Sequence, residues 1–442
     1  MTPGGSEILA PWLDRLRRAP RLYVGFSGGL DSTFLLDALI ATVPAARICA
    51  VHVNHGLSPH SDDWQARCEA FCHDRGIDCR ARRVRVVAAG EGLESAARRA
   101  RYAVFEQVLE AGDLLLLAHH LDDQVETVLY RLLRGSGPRG LAGMPAERGL
   151  GRGTLVRPLL HVERHRLETW AREKGLTWIE DEANRDFAFD RNFLRHRLLP
   201  VIESRWPDYR QRLARSAGLC ARSDDLAGEV AGADLPALGE RPEKLGWSLD
   251  LGAFRRLTVA RRENLLRHWV RDRGLGGPGH GVIESVLDDL LPARDDARPV
   301  VAWRGGSFRR YQGRLYLLPP LDPVAFPDQV TWDARSPLTL PDGGRLTAEK
   351  VDGRGLRLAD GTDLLIGFRR GGERCTPEGR PGSAPLKKLA QEYCLPPWLR
   401  ERVPLIHVGG SLAAVGDSFV CAGFAAGPGE TGLVFTWRYP HC

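Results

Sequence analysis

Lysine is scarce in this chain: only five occur in 442 residues (Lys174, Lys244, Lys350, Lys387 and Lys388), and two of them are adjacent. Nine cysteines are scattered without a single CxxC pair, so no spacing supports a tetrathiolate zinc site or an iron–sulfur cluster. Reduced, mostly buried thiols are expected instead. Long apolar runs are missing as well. The strongest, Leu114 to Ala118, is far too short to cross a bilayer, and Met1 to Arg18 holds no apolar core of signal-peptide length. A cytoplasmic protein with no membrane partner is expected. There is no internal repeat and no low-complexity tract.

What is present fits a folded protein of several domains. Apolar residues make up 43% and charged residues 27% of the chain, which excludes wholesale disorder and fibrous architectures. The length suggests about two to four domains. Sixty-two basic against 56 acidic side chains leave +6, a modest excess that suits an anionic partner without requiring one.

Four apolar segments, Leu22 to Phe26, Ile48 to Val53, Arg82 to Val87 and Leu114 to Ala118, read as strands. Helical periodicity fills the gaps, as in Leu93, Ala97, Ala100, Val104 and Val108. Strand alternating with helix predicts an α/β fold with a parallel sheet covered on both faces. A fifth strand is expected over 155–160 and a helix over 164–174. Beyond Pro200 the pattern turns helical, over 209–232, 259–273 and 282–291, closed by a hairpin of 300–303 with 314–318. Six prolines in 319–341 mark a linker. The last region mixes glycine-rich turns, short strands and one helix near 386–394.

The strongest chemical signal is Ser27-Gly28-Gly29-Leu30-Asp31-Ser32, between the first strand and a helix expected from about Thr33. A glycine turn opening a helix presents unpaired amides and the positive end of the helix dipole, which together hold a phosphate. Gly28 and Gly29 allow close approach, Ser27 and Ser32 offer hydroxyls, and Asp31 can hold Mg²⁺ against the phosphates of ATP. The Walker pattern GxxxxGK[ST] is absent.

A second cluster, His119, His120, Asp122, Asp123 and Glu126, follows the fourth strand. Asp123 and Glu126 share a helix face, and the carboxyl ends of strands one and four open on one crevice. Carboxylates there can bind metal, orient an amine or accept its proton, or can simply cap the helix. Glu94, Arg98 and Arg101 form a stripe that suits phosphate or carboxylate, or a solvated face. The run from Glu180 to Asn184, then Arg191, Asn192 and Arg195, suits ribose, phosphate or a base edge, or a capped surface turn. Late in the chain Arg369, Arg370, Arg374, Arg380, Lys387, Lys388 and Arg400 gather around Trp398, which fits a nucleic-acid surface.

With these motifs in hand the chain resembles the bacterial tRNA(Ile)-lysidine synthetases nearly end to end. The likeness covers SGGLDS, Val53-Asn54-His55-Gly56-Leu57, Ala100-Arg101-Tyr102 and His119 to Glu126. It continues through Arg134-Gly135-Ser136-Gly137, Gly140-Leu141, Arg157-Pro158-Leu159-Leu160, Trp178 to Pro200, and the late KKL and PPWLR segments. The resemblance implies a Rossmann-like PP-loop ATPase domain over 1–205, a mainly helical substrate domain over 206–320 and a small mixed α/β tRNA-binding domain over 330–442. It implies adenylation of the wobble cytidine of the CAU-anticodon tRNA(Ile), then attack by free L-lysine. Asp31, Arg101, Asp123 and Glu126 are the implied catalytic residues, with Asp31 on the metal. Residues 27–32 hold ATP, and His119, Arg191, Asn192, Arg195, Lys387, Lys388 and Arg400 contact the RNA substrate. Ala183 and Phe189 depart from the family's usual Ser and Tyr. A tRNA thiolase and a catalytically silent tRNA-binding protein are the rival readings, and the oligomeric state stays open, a homodimer included.

Overall fold

Strands buried on both faces need continuous apolar sequence, and the centre of the first sheet has it. The computed structural model describes residues 5–87, 92–181, 190–294, 297–357 and 362–439. In chain order come β1 (Leu22–Gly25), α1 (Leu30–Ile40), β2 (Ile48–Asn54), α2 (Ser61–His73), β3 (Asp78–Arg83), α3 (Leu93–Val108), β4 (Leu114–Leu116) and α4 (Leu121–Leu133). The antiparallel pair β5 (Glu147–Leu150) and β6 (Gly153–Val156) and the helix α5 (Arg164–Glu173) follow. The sheet order is β3-β2-β1-β4-β6-β5, parallel except for β5.

Alternation along the strands feeds two cores. Leu22, Val24, Leu114 and Leu116 pack with α1, α2 and α5, while Tyr23, Leu115 and Leu155 pack with Val104 and Phe105 of α3. Helices therefore cover both faces, as expected for a Rossmann-like domain.

Several expected boundaries shift. The third strand lies over 78–83 instead of 82–87, because it is an edge strand whose charged residues suit its exposure; Val87 is 58% exposed. The fifth ends at Val156, where Arg157-Pro158 begins a turn. In α3 the buried side chains are Ala96, Val104 and Phe105, a stripe rotated from the expected one, and Leu93 is exposed.

The chain divides into two compact units, Met1–Leu226 and Ala227–Cys442, and the division falls inside the long helix α6 (Tyr209–Ala237). The second unit joins α7 (Val259–Asp272) to a five-stranded antiparallel sheet ordered β7-β8-β11-β10-β9. These strands are Arg241–Pro242, Trp247–Asp250, Val300–Trp303, Gly306–Tyr311 and Arg314–Leu318 for β7 to β11. The hairpin expected to pair 300–303 with 314–318 is thus replaced by a meander, with β10 between the two. Arginine hid β10 in the sequence: Arg310 is buried and donates to the Leu291 carbonyl at 2.7 Å. Two more antiparallel sheets of five and four strands, a two-stranded pair (Arg374–Cys375 with Ala384–Pro385) and the helix α8 (Leu386–Glu392) follow among the described residues. Among the described residues no helix is long and apolar enough to cross a membrane.

Candidate active site

The turn between β1 and α1 is shaped by glycine. Gly28 sits at φ +81°, and a Cβ there would come within 2.6 Å of Ile179 Cδ1 and 2.8 Å of Cys68 Sγ. Gly29 is extended and starts α1 at Leu30, three residues earlier than expected, with no side chain capping the first turn. Its amides are left for a ligand. The Ser32 hydroxyl donates to the Gly29 carbonyl at 3.0 Å and lies 3.1 Å from Ser27 Oγ, so both hydroxyls border the turn.

Asp31 stands in that first turn. Its Oδ1 is buried without a hydrogen-bond partner, and the nearest basic side chains place His120 Nε2 at 3.7 Å and Arg164 Nε at 3.9 Å from the carboxylate. Burial raises its pKa despite those two groups. An orphaned carboxylate oxygen beside a phosphate cradle fits Mg²⁺, which takes one or two carboxylates and completes its shell with phosphates and water. Among the described residues no cluster of three or more His, Cys, Asp or Glu offers an all-protein metal cage, so Asp31 fits a metal only together with the nucleotide.

The second motif opens α4, where cap and site coincide. His120 Nδ1 accepts from the Asp123 amide at 3.3 Å and Asp123 Oδ2 accepts from the His120 amide at 3.0 Å. Asp123 Oδ1 also meets Arg195 Nη2 at 3.4 Å. Glu126, 1% exposed, is gripped in two-point fashion by Arg195, with Nε to Oε1 at 2.6 Å and Nη2 to Oε2 at 3.0 Å. Burial drives Asp123 up, but His120, His119, the His120 amide and Arg195 outweigh it and hold the carboxyl below its ordinary value. For Glu126 burial wins over Arg195, and its pKa rises. The neighbouring Asp122 is structural: it accepts from the Arg164 amide at 2.8 Å and from Arg210 Nε at 2.7 Å.

A cavity of about 640 Å³ lies at the carboxyl ends of β1, β2 and β4, lined by Ser27, Gly29, Ser32, Arg101 and His119 among others. That volume suits a nucleotide-sized ligand. Burial pushes His119 down to about 3 and His55 down to about 4, so both rings are neutral there. His55 Nδ1 is buried without a partner. Arg101 is desolvated and faced by Arg98, which lowers its pKa and leaves it suited to an incoming anion. Ile179, within the Trp178 to Pro200 segment, also forms the wall, as do His52 and Trp64, which no motif singled out. The rule that ligands sit beyond strand carboxyl ends was the signal for His52.

The remaining sequence candidates separate. Asn192 is buried, and Arg191 Nε lies 3.8 Å from Glu94 Oε1. Glu182, Ala183, Asn184 and Phe189 lie outside the described residues. Lys387 and Lys388 are exposed on α8. Arg400, expected on the surface with them, is instead 5% exposed, its Nε donating to the Leu395 carbonyl at 3.0 Å and Nη2 to the Tyr311 hydroxyl at 3.4 Å. The loop carbonyl of Leu395 and the Tyr311 hydroxyl hold the guanidinium below the surface, which does not suit the surface RNA contact expected of Arg400. Arg380 is likewise paired, with Glu392.

A parallel sheet whose first turn is a glycine phosphate cradle, facing carboxylates from the fourth strand, defines an ATP-using enzyme of the PP-loop class, and the model of the PP-loop domain matches residues 6–202. Models described as the TilS substrate binding domain and the TilS substrate C-terminal domain match residues 249–316 and 364–437. Over 96% of this chain and 95% of the relative, identity reaches 44% with a tRNA(Ile)-lysidine synthase of Alkalilimnicola ehrlichii. It is 38% with that of Coxiella burnetii at the same coverage. The chain belongs to the tRNA(Ile)-lysidine synthase family and is an ATP-dependent ligase. Among solved structures, the U34-tRNA thiolase NcsA of Methanococcus maripaludis aligns over 48% of this chain and 78% of its own at 17% identity, with a TM-score of 0.38, too low to define a common fold.

Proposed function

We propose that the enzyme modifies the wobble cytidine of the CAU-anticodon tRNA(Ile) in two steps within this crevice. In the first, the C2 oxygen of the base bonds to the α-phosphorus of ATP and pyrophosphate leaves. In the second, the ε-amine of free lysine bonds to C2, the C2–O bond to AMP breaks, and the amine loses a proton. The observation that carries the reading is the link from the phosphate turn, which lines the cavity, to the Asp123–Glu126–Arg195 cluster: His120 Nε2 lies 3.7 Å from Asp31 and 3.3 Å from Asp123. Mg²⁺, when bound by Asp31 and the phosphates, supplies charge neutralisation at the leaving pyrophosphate.

The chain's own residues then divide the work. Amides of the turn and the hydroxyls of Ser27 and Ser32 hold the phosphates, and Arg101 meets the developing negative charge. Asp123, held ionised, attracts the lysine ammonium, and Glu126, whose proton affinity burial has raised, takes the proton that the amine loses. His119 stays a neutral hydrogen-bonding wall, with Arg191, Asn192 and Arg195 toward the base. Residues 1–205 form the catalytic module in this reading, and 206–320 and 330–442 hold the tRNA, the latter through Lys387 and Lys388. Free thiols at every described cysteine suit a reducing cytoplasm.

The deciding experiment incubates total tRNA with ATP and labelled lysine. Label in RNA that requires ATP, with AMP and pyrophosphate as products, is expected. Pyrophosphate release without lysine in the RNA would overturn the second step.

A further inference from the structure

A second depression, of about 460 Å³, lies on α4 beside the crevice and is lined by Arg98, Arg131, Arg134 and Arg191 with Thr127 and Tyr130. Four guanidinium groups converge there and no acid lines the wall. Three of them have neutral partners. Arg98 donates to the Tyr102 hydroxyl at 3.1 Å, Arg134 to the Tyr130 hydroxyl at 2.9 Å, and Arg131 to the carbonyls of Gly140 and Gly143 at 2.9 and 2.7 Å. Among the described residues only Arg191 faces a carboxylate, Glu94 at 3.8 Å. Uncompensated cations gathered in a concave site attract an anion.

The placement says which anion. Asp123, Thr127 and Arg131 succeed one another at four-residue steps on α4, and Arg134, three residues on, caps the end of that stripe. The Thr127 hydroxyl, on the wall of the depression, donates to the Asp123 backbone carbonyl one turn back at 2.8 Å. From Asp123 to Arg134 the helix advances about 16 Å. Arg191, one helical turn before Arg195, borders the depression while Arg195 holds Glu126. A strand whose reactive base lies at the carboxylates meets the arginines with the phosphates next to that base. Phe193, 52% exposed, adds an aromatic face in the same segment on which an unpaired base can stack.

We propose that this depression binds the sugar–phosphate backbone of unpaired RNA flanking the target base; the assignment rests on the reading of the crevice given above. It makes the enzyme selective for a base presented in a loop. Arg98 and Arg134 are the testable members, since Arg131 also holds the Gly140–Gly143 turn.

The experiment measures binding of a CAU-loop hairpin RNA across a salt series for wild type, the double variant Arg98→Gln with Arg134→Gln, and the charge-keeping double variant Arg98→Lys with Arg134→Lys. The glutamine pair is expected to flatten the log–log salt slope by about 1.4, at ~0.7 per lost contact to a single strand. It should raise the tRNA KM at least about tenfold and leave Mg–ATP binding unchanged; the lysine pair should keep most of the wild-type slope. A glutamine pair that binds the hairpin like wild type overturns the proposal, and so does a lysine pair as weak as the glutamine pair, which would signal packing instead of charge. Loss of inorganic phosphate binding with RNA binding intact would show a small-anion site and equally overturn it. Hairpin binding needs no lysine transfer, so its outcome stands apart from the labelled-lysine assay.

Discussion

Asp31 carries opposite consequences for stability and activity. Its folded pKa is raised above 3.8, chiefly by burial, so the folded state prefers the proton, and that share of stability is lost as pH rises through the raised value. Asp31→Asn is therefore expected to melt higher than wild type at neutral pH without ligand, with the gain vanishing below about pH 3.8. The same variant should abolish tRNA-dependent pyrophosphate release while still binding tRNA. A lower melting temperature together with near-normal release would remove Asp31 from both roles. Asp123→Asn keeps an acceptor for the His120 amide, so a loss of lysine incorporation reports chemistry and not the cap. That variant, and Glu126→Gln, should each lose at least about tenfold, ~1.4 kcal/mol of transition-state stabilisation. His119 and His55, held near about 3 and about 4, should show no ring titration by NMR across about pH 5–8. Their sign is the reverse of Asp31: the unfolded rings gain protons first, so acidification below 6.5 costs stability.

At the scale of elements, the phosphate turn tolerates no side chain. Gly28→Ala combines a left-handed φ with contacts of 2.6 and 2.8 Å to Ile179 and Cys68, and urea unfolding should show a loss of about 1–3 kcal/mol. A variant as stable as wild type would mean the turn relaxes freely. The same turn was legible in the sequence because glycine, serine and aspartate have few other uses between a buried strand and a helix. So were β1, β2 and β4, whose two-sided burial demands apolar runs. The edge strand β3 and the arginine-bearing β10 were not, since their charged residues break the apolar pattern that marks a strand, and the buried stripe of α3 is set by the sheet it packs on. Glu126 was found by spacing, but its grip by Arg195, 69 residues on, exists only in the fold. Arg400 shows the converse: basic residues read as surface can be buried when a loop carbonyl and a tyrosine hydroxyl receive them.

Across the whole molecule, positive charge is carried almost wholly by arginine, and the few lysines fall into two sets. Lys174 is paired with Asp37 at 2.6 Å and Lys244 with Asp417 at 2.5 Å. Lys387 and Lys388 stand free in solvent on α8, and Lys350 is exposed on the strand Arg345–Asp352. If the α8 pair contacts tRNA phosphates, replacing both by alanine should flatten the salt dependence of tRNA binding by about 0.7 to 0.9 per contact and leave ATP affinity unchanged. Superimposable curves would make the pair an ordinary solvated surface. Scarcity also makes the protein nearly transparent to amine-directed acylation. A footprinting reagent has three open side-chain targets, so the peptide bearing Lys387 and Lys388 can be followed against Lys350 as an internal clock. Slower acylation of that peptide on addition of tRNA, at a constant Lys350 rate, would report occupancy of α8 in the native enzyme without any substitution.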